Sequence, residues 1–331
     1  MIPVVFLSVT TYLLQSYSVI FFSFLFFCFT LFFCFYGEYV DMFVNVDYFS
    51  FLLLFVTLVI FFMCFFSENF SYLSFFTLCI IIFLLLVRFS VMNYLLFFFC
   101  FEFVFILIFF FLLLKGSSIE RLQASFYMFF YTMVFSLPFL VGLCILQNIG
   151  FSRFFSLYFS SFDSFIVFFL FFVFLVKMPL YGLHLWLPKA HVQASVRGSI
   201  LLAGVLLKLG GYGIFRFFFM LDNFSFNRFL LPFIFYLSLY GGLLVRITCV
   251  RQRDLKILIA YSSVVHMSVS FLGLLRFSRT GVLGCLLILI RHGFISPLIF
   301  YLITYMYTIN SSRRLFLIKG VIFLCPIYCF F

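Results

Sequence analysis

Five ionisable residues, Glu102, Lys177, Lys208, His266 and His292, lie inside or at the edge of long apolar runs. Glu102, in YLLFFFCFEFVFILIFFFLL, is the one acidic residue of nine that falls near the middle of such a run. Lys208, in SILLAGVLLKLGGYGIF, is flanked on both sides by enough apolar sequence to be out of reach of either membrane interface. His266 in LIAYSSVVHMSVSFL and His292 in LLILIRHGFISPL are likewise central. Carboxylate, ammonium and imidazole have one chemistry in common, which is to hold a proton and give it up. An unpaired charge in lipid costs several kcal/mol, so such groups must face protein, water or an opposite charge. The bland alternatives are a protonated glutamic acid bonding a neighbouring helix, a snorkelling lysine, and histidines that only donate interhelical hydrogen bonds.

Lys177 stands in the stretch LVKMPLYGLHLWLPKAH, residues Leu175 to His191. Pro179 lacks an amide hydrogen and its ring collides with the carbonyl four residues earlier, so the helix opens near Leu175 and exposes acceptors beside Lys177. A break of this kind survives in a bilayer only where protein buries it or a wet cavity lines it. Gly182 and Pro188 argue against a second rigid helix before the chain leaves the membrane, and His184 and His191 read as loop residues. The pattern is that of a discontinuous transporter helix with a lysine at the discontinuity, against the alternative of a kinked helix end whose lysine snorkels. Two unit charges about 4 Å apart at an effective dielectric near 20 interact by roughly 4 kcal/mol. Moving one charge against roughly 150 to 200 mV costs on the order of 4 kcal/mol. A Glu102–Lys177 pair that forms and separates therefore has the right energy to act as a proton switch, and the two groups are expected to meet across a helix interface.

The elements that must position these groups are membrane helices. Of the 331 residues 67% are hydrophobic and 9% are charged, too little polar surface for a water-soluble core. The expected class is an all-α integral membrane protein, a multi-span bundle with one proline-broken helix, forming a single membrane domain over 1–331. Ten runs reach spanning length: about Tyr17 to Tyr36, Asp47 to Phe66, Tyr72 to Met92, Tyr94 to Leu114, Ser125 to Gln147, Ser164 to Leu183, Gly198 to Phe219, Phe229 to Val250, Lys256 to Leu275 and Gly281 to Tyr301. An eleventh begins near Leu315. Lys115, Arg121, Lys189, Arg197, Arg251, Arg253, Lys256, Arg313, Arg314 and Lys319 then share one side, which the Lys/Arg asymmetry assigns to the matrix or cytoplasm. The charge of +11 belongs to this orientation, and no basic surface with interleaved aromatics points to nucleic acid. Arg88 falls at a span end on the opposite side and is expected to be dispensable. Ten cysteines lie mostly in apolar runs without CxxC or zinc spacing, so they read as small hydrophobes and no metal or cofactor site is expected.

With those residues in hand, the segments IERLQASFYMFFYT, VKMPLYGLHLWLPKAHVQAS, LLAGVLLKLGGYG, RQRDLKILIAYSSVVHMS and IRHGFISPLIFYL resemble the chain 4 family of mitochondrial NADH:ubiquinone oxidoreductase. These are antiporter-like subunits of respiratory complex I. The resemblance runs from about Asn93 to Lys319. The sister chains 2 and 5 share the plan but lack KAHV.

The resemblance implies a proton-translocating subunit of the mitochondrial inner membrane. It would neighbour other antiporter-like chains of complex I, amid membrane lipids and without nucleic acid. The chain would belong to the NADH:ubiquinone reductase enzyme yet hold no redox centre, with NADH, FMN, iron–sulfur clusters and ubiquinone on other subunits. Lys177 would hold the proton, Glu102 would modulate it, and Lys208, His266 and His292 would pass it on along a hydrated axis. The family's two inverted five-helix repeats would map to 72–219 and, incompletely, to 229–331, with the chain ending before the second broken helix. Gln193 and Ser195 replace the usual Glu and Pro after KAHV. Arg291 replaces a small residue before the histidine, and is expected to face the axis beside His292 with a carboxylate from elsewhere. Two alternatives remain, a chain of a multisubunit cation/proton antiporter and a non-pumping structural membrane subunit.

Overall fold

The computed structural model describes residues 47–66, 72–91, 93–113, 119–148, 172–222, 230–276, 278–310 and 312–315. Ten α-helices are assigned in them: α1 Tyr48–Phe66, α2 Tyr72–Ser90, α3 Tyr94–Leu113, α4 Ile119–Asn148, α5 Trp186–Gln193, α6 Val196–Leu201, α7 Leu207–Asp222, α8 Leu230–Val250, α9 Leu255–Leu275 and α10 Arg279–Asn310. A π-helical turn, Leu202–Leu206, joins α6 to α7 into one span, and residues 172–177 add a short helical segment before α5. Among the described residues no strand forms, and an isolated bridge links Asp254 to Arg314. Seven helices there are long and apolar enough to cross a membrane, which makes the chain a multi-pass, all-helical membrane protein. The expected span Tyr17 to Tyr36, residues 164–171 of the broken helix and the run after Leu315 lie outside the described residues.

Sequence and structure differ most where polar ends extend a helix. α4 begins at Ile119 rather than Ser125, because Glu120 sits in its first turn, where the helix dipole favours an acid, and accepts a hydrogen bond from Gln193 Nε2 at 2.7 Å. Its 30 residues span about 45 Å at 1.5 Å per residue, so its first turns project beyond the hydrocarbon layer. α4 and α10 also absorb internal prolines, Pro138 and Pro297, without ending.

The span formed by α6, the π-turn and α7 is the most enclosed of the seven and packs against α1, α3, α9 and α10. It can do so because its sequence is glycine-rich on the contact face. A Cβ on Gly210 would come within 3.0 Å of the Met178 backbone nitrogen, and one on Gly213 would enter the Phe174 ring. Bare backbone at these positions lets the broken segment lie directly on α7. A ring cluster of Phe97, Phe101, Phe139, Phe174 and Phe217 fills the surrounding volume.

At one end of the bundle the basic residues assigned to a single side converge on the carbonyls at the C-terminus of α5. Arg121 Nε donates to Gln193 O at 3.0 Å, Lys256 Nζ to Ala194 O at 3.2 Å and Arg313 Nη1 to Val192 O at 3.4 Å. These bonds satisfy the orphan acceptors of a helix C-terminus with cations, the sign its dipole prefers. The opposite end is clamped by Arg216, which pairs with Asp47 and donates to Tyr212 Oη, while Tyr212 Oη donates to Phe89 O at 3.0 Å.

Candidate functional site

The helical segment 172–177 stops at Lys177, as Pro179 dictates. The Met178 amide still reaches Phe174 O at 2.7 Å, but the next helical donor is missing, and Leu175 O accepts instead from the Leu180 amide at 3.4 Å. That shift releases Val176 O, which accepts from Trp186 Nε1 at 3.3 Å. The exposed acceptor expected beside Lys177 is thus closed by an indole from the start of α5. Trp186→Phe keeps a ring in the space and removes the donor, leaving a buried carbonyl unsatisfied. The thermal denaturation midpoint of the purified protein should fall, by an amount corresponding to about 1–3 kcal/mol. An unchanged midpoint would show that the indole bond contributes nothing.

The expectation that no rigid helix follows before the chain leaves the membrane is corrected by α5. Pro188 falls in the first turn of that helix, where no amide hydrogen is required, and Gly182 supplies the preceding turn with a φ of +89°. His191 is therefore a helical residue, buried and stacked on Phe300 with ring centroids 4.7 Å apart. His184 is in the connecting loop as expected, yet it too is buried, against Tyr181 and Tyr261.

Lys177 is fully enclosed, and its Nζ lies 3.4 Å from Glu102 Oε1 on α3. The ammonium also sits over two rings of the same helix, 3.0 Å from the Phe105 centroid and 4.1 Å from that of Phe101. Aromatic faces substitute for water around the part of the cation that the carboxylate does not cover. Glu102 Oε2 has no hydrogen-bond partner among the described residues.

A second buried pair lies on the central span. Lys208 Nζ is 2.9 Å from His292 Nδ1 of α10 and also donates to Ala203 O. Ala203 belongs to the π-turn, whose widened ladder presents carbonyls that a regular helix would have paired internally. Gly293 lets α1 approach α10 beside this pair, since a Cβ there would lie 2.6 Å from Val56 Cγ1, and Lys208 Cε would then be in ordinary contact with it at 3.4 Å. Ser296 Oγ stands 3.4 Å from the same imidazole nitrogen. The His266 ring is 5.8 Å from that of His292, but His266 is exposed on the surface of this chain. The two pairs are not hydrogen-bonded to each other among the described residues. Nor does any group of three or more His, Cys, Asp or Glu gather there in a metal-binding arrangement.

Two arginines stand elsewhere than expected. Arg291 faces outward from α10 and is exposed, whereas the next residue, His292, is buried. Adjacent residues on a helix point about 100° apart, and here the rotation leaves Arg291 on the outer face while His292 turns inward. Arg88 is fully buried. Its Nη2 donates to Leu209 O at 3.1 Å, and its guanidinium carbon lies 4.2 Å from the Phe101 centroid and 4.4 Å from that of Phe97. Its position near the end of α2 suggested an interfacial residue, but neighbouring helices close over that end.

Residues 91–331 match the family described as NADH:quinone oxidoreductase/Mrp antiporter, transmembrane. A protein of Locusta migratoria named NADH-ubiquinone oxidoreductase chain 4 is 45% identical over 215 residues, 64% of this chain and 48% of its own length. The protein of that name in Danio rerio is 43% identical over 220 residues, 64% of this chain and 47% of its own. This chain spans about half the length of the curated relatives it matches. A chain of the membrane-bound sulfane sulfur reductase, an archaeal respiratory membrane complex, superposes with a TM-score of 0.80 at 16% identity, over 96% of this chain and 71% of that one. A chain of the Mrp complex from Dietzia sp. gives 0.70 at 18%, over 82% and 53%. One of respiratory complex I from Thermus thermophilus with bound NADH gives 0.66 at 23%, over 82% and 59%. At these identities the structural likeness shows the fold.

Proposed function

This chain belongs to the NADH:quinone oxidoreductase/Mrp antiporter transmembrane family, and on that premise we propose that it is a proton-translocating membrane-arm subunit of NADH:ubiquinone oxidoreductase, respiratory complex I. The observation that carries the reading is the pair of buried proton-holding couples, Glu102–Lys177 and Lys208–His292, inside an otherwise apolar bundle. Neither couple is needed to hold helices together in lipid, where apolar packing does so at lower desolvation cost. Lys177 holds a proton while Glu102 is near and releases it when the pair separates. Lys208 and His292 receive it deeper in the bundle, and His266 stands at the surface where the path leaves this chain.

The relatives named NADH-ubiquinone oxidoreductase chain 4 support this assignment and, with it, a place in the mitochondrial inner membrane beside other antiporter-like chains and lipids. The electron chemistry of NADH, FMN, iron–sulfur clusters and ubiquinone belongs to other subunits in this reading. Residues 72–219 form one five-helix repeat, comprising α2, α3, α4, the broken segment with α5, and the α6–α7 span, and residues 229–331 belong to a second. A second reading, a subunit of a multisubunit cation/proton antiporter, is favoured by the family, whose description names the Mrp antiporter beside NADH:quinone oxidoreductase.

Isolating the native assembly through this chain and reconstituting it in vesicles separates the two readings. Complex I membership predicts copurifying flavin and iron–sulfur subunits and proton movement driven by NADH oxidation. Copurification with other antiporter chains alone, together with sodium–proton exchange that needs no NADH, would overturn it.

A further inference from the structure

A second cation shares the environment of the Glu102–Lys177 pair. Arg88 and Lys177 reach the Phe101 ring from different helices, with guanidinium carbon and ammonium nitrogen 4.2 and 4.1 Å from its centroid. They are therefore separated by no more than the sum of those distances. Arg88 Nε and Nη1 have no hydrogen-bond partner among the described residues, and neither does Glu102 Oε2. One carboxylate thus faces two buried cations and bonds only one of them. The third guanidinium nitrogen is fixed to Leu209 O, the residue that follows Lys208, so Arg88 touches the surroundings of both couples.

We propose that Arg88 is a positioning residue for proton transfer, a permanent buried charge that limits how firmly Lys177 keeps its proton. The inference rests on the translocation reading above and assigns to it a residue on α2. A guanidinium stays charged at any accessible pH, so its field is constant while Lys177 changes state. The Glu102 carboxylate favours the protonated lysine, and the Arg88 guanidinium opposes part of that attraction. The charged or titratable groups facing this pair are Glu102 and Cys100 from α3, Arg88 from α2, and Tyr212 from α7. Of these only Arg88 is a cation that cannot discharge.

Arg88→Met, Arg88→Gln and Arg88→Lys in the assembled complex test the proposal, with Lys177→Met as the control for the underlying reading. A fixed charge acting across one aromatic ring at an effective dielectric near 20 changes proton holding by about one pH unit. The two neutral variants should therefore slow proton movement by about tenfold and shift the alkaline limb of its pH profile upward by about one unit, and Arg88→Lys should restore both. Full pumping in Lys177→Met would overturn the function assigned to the chain whatever Arg88 does. Loss of pumping in Lys177→Met together with an unshifted profile in Arg88→Met or Arg88→Gln would overturn the role of Arg88 alone. Failure of both neutral variants, or of all three, to enter the complex would assign Arg88 to assembly and overturn the proposal equally.

Discussion

Lys177→Met is expected to abolish proton movement through this chain while leaving the bundle assembled. Methionine fills a similar volume and needs no counter-charge, and once the lysine is gone Glu102 still faces the Arg88 guanidinium. Removing the other partner is harder on the fold. Glu102→Leu strands the ammonium beside Phe101 and Phe105 with nothing but aromatic faces to stabilise it, and breaking a buried pair in this way costs about 3–5 kcal/mol. The double variant Glu102→Leu with Lys177→Met removes both charges and should recover most of that stability. Measured as assembled complex per membrane and as protons moved per NADH oxidised, stability should follow the order wild type, double variant, Glu102→Leu, whereas pumping should drop at least tenfold in every variant lacking Lys177. Pumping that recovers along with stability in the double variant would reduce the pair to a structural bond.

How much of this could be read from the sequence depends on which force set each feature. The seven described spans from Leu73 onward were legible because a bilayer imposes one requirement, internal satisfaction of every backbone group, and apolar runs report it directly. The Glu102 and Lys177 positions were legible for the opposite reason, since an ionisable residue in such a run is costly enough to stand out. Helix α5 was not legible, because Pro188 was read as a breaker when it occupies a first turn, and nothing local distinguishes those cases. The π-turn left no sequence signal either. It is a register adjustment between α6 and α7 that delivers Ala203 O to Lys208, and it exists only in the packed bundle.

Arg88 and Arg291 show a common limit. Distance from the end of a hydrophobic run predicts depth along the membrane normal, and says nothing of direction within its plane. Arg88 lies near a helix end yet points inward, whereas Arg291 lies mid-helix yet points outward. Helical phase relative to the neighbours decides both. A single sequence of nearly uniform Phe and Leu carries little amphipathic contrast from which to recover that phase.

The Lys208–His292 contact supports a graded prediction. A protonated lysine has only hydrogens to give, so when it donates to His292 Nδ1 that nitrogen must be the unprotonated one, and the ring hydrogen sits on Nε2. Passing the proton onward then requires Nδ1 to gain a hydrogen as Nε2 loses one, a relay that glutamine cannot perform even though it can keep a hydrogen bond to Lys208. Lys208→Met should consequently stop proton movement, and His292→Gln should slow it by a factor of about 10²–10⁴, the usual worth of a positioned acid–base group. His266→Gln should have a smaller effect, because His266 is exposed at the surface of this chain, where water can take over its task. All three variants should assemble, since each replacement approximates the volume of the residue removed. Proton movement measured in vesicles at matched rates of NADH oxidation ranks them. If His266→Gln proves as damaging as Lys208→Met, or if His292→Gln pumps normally, then the proton does not travel through this contact.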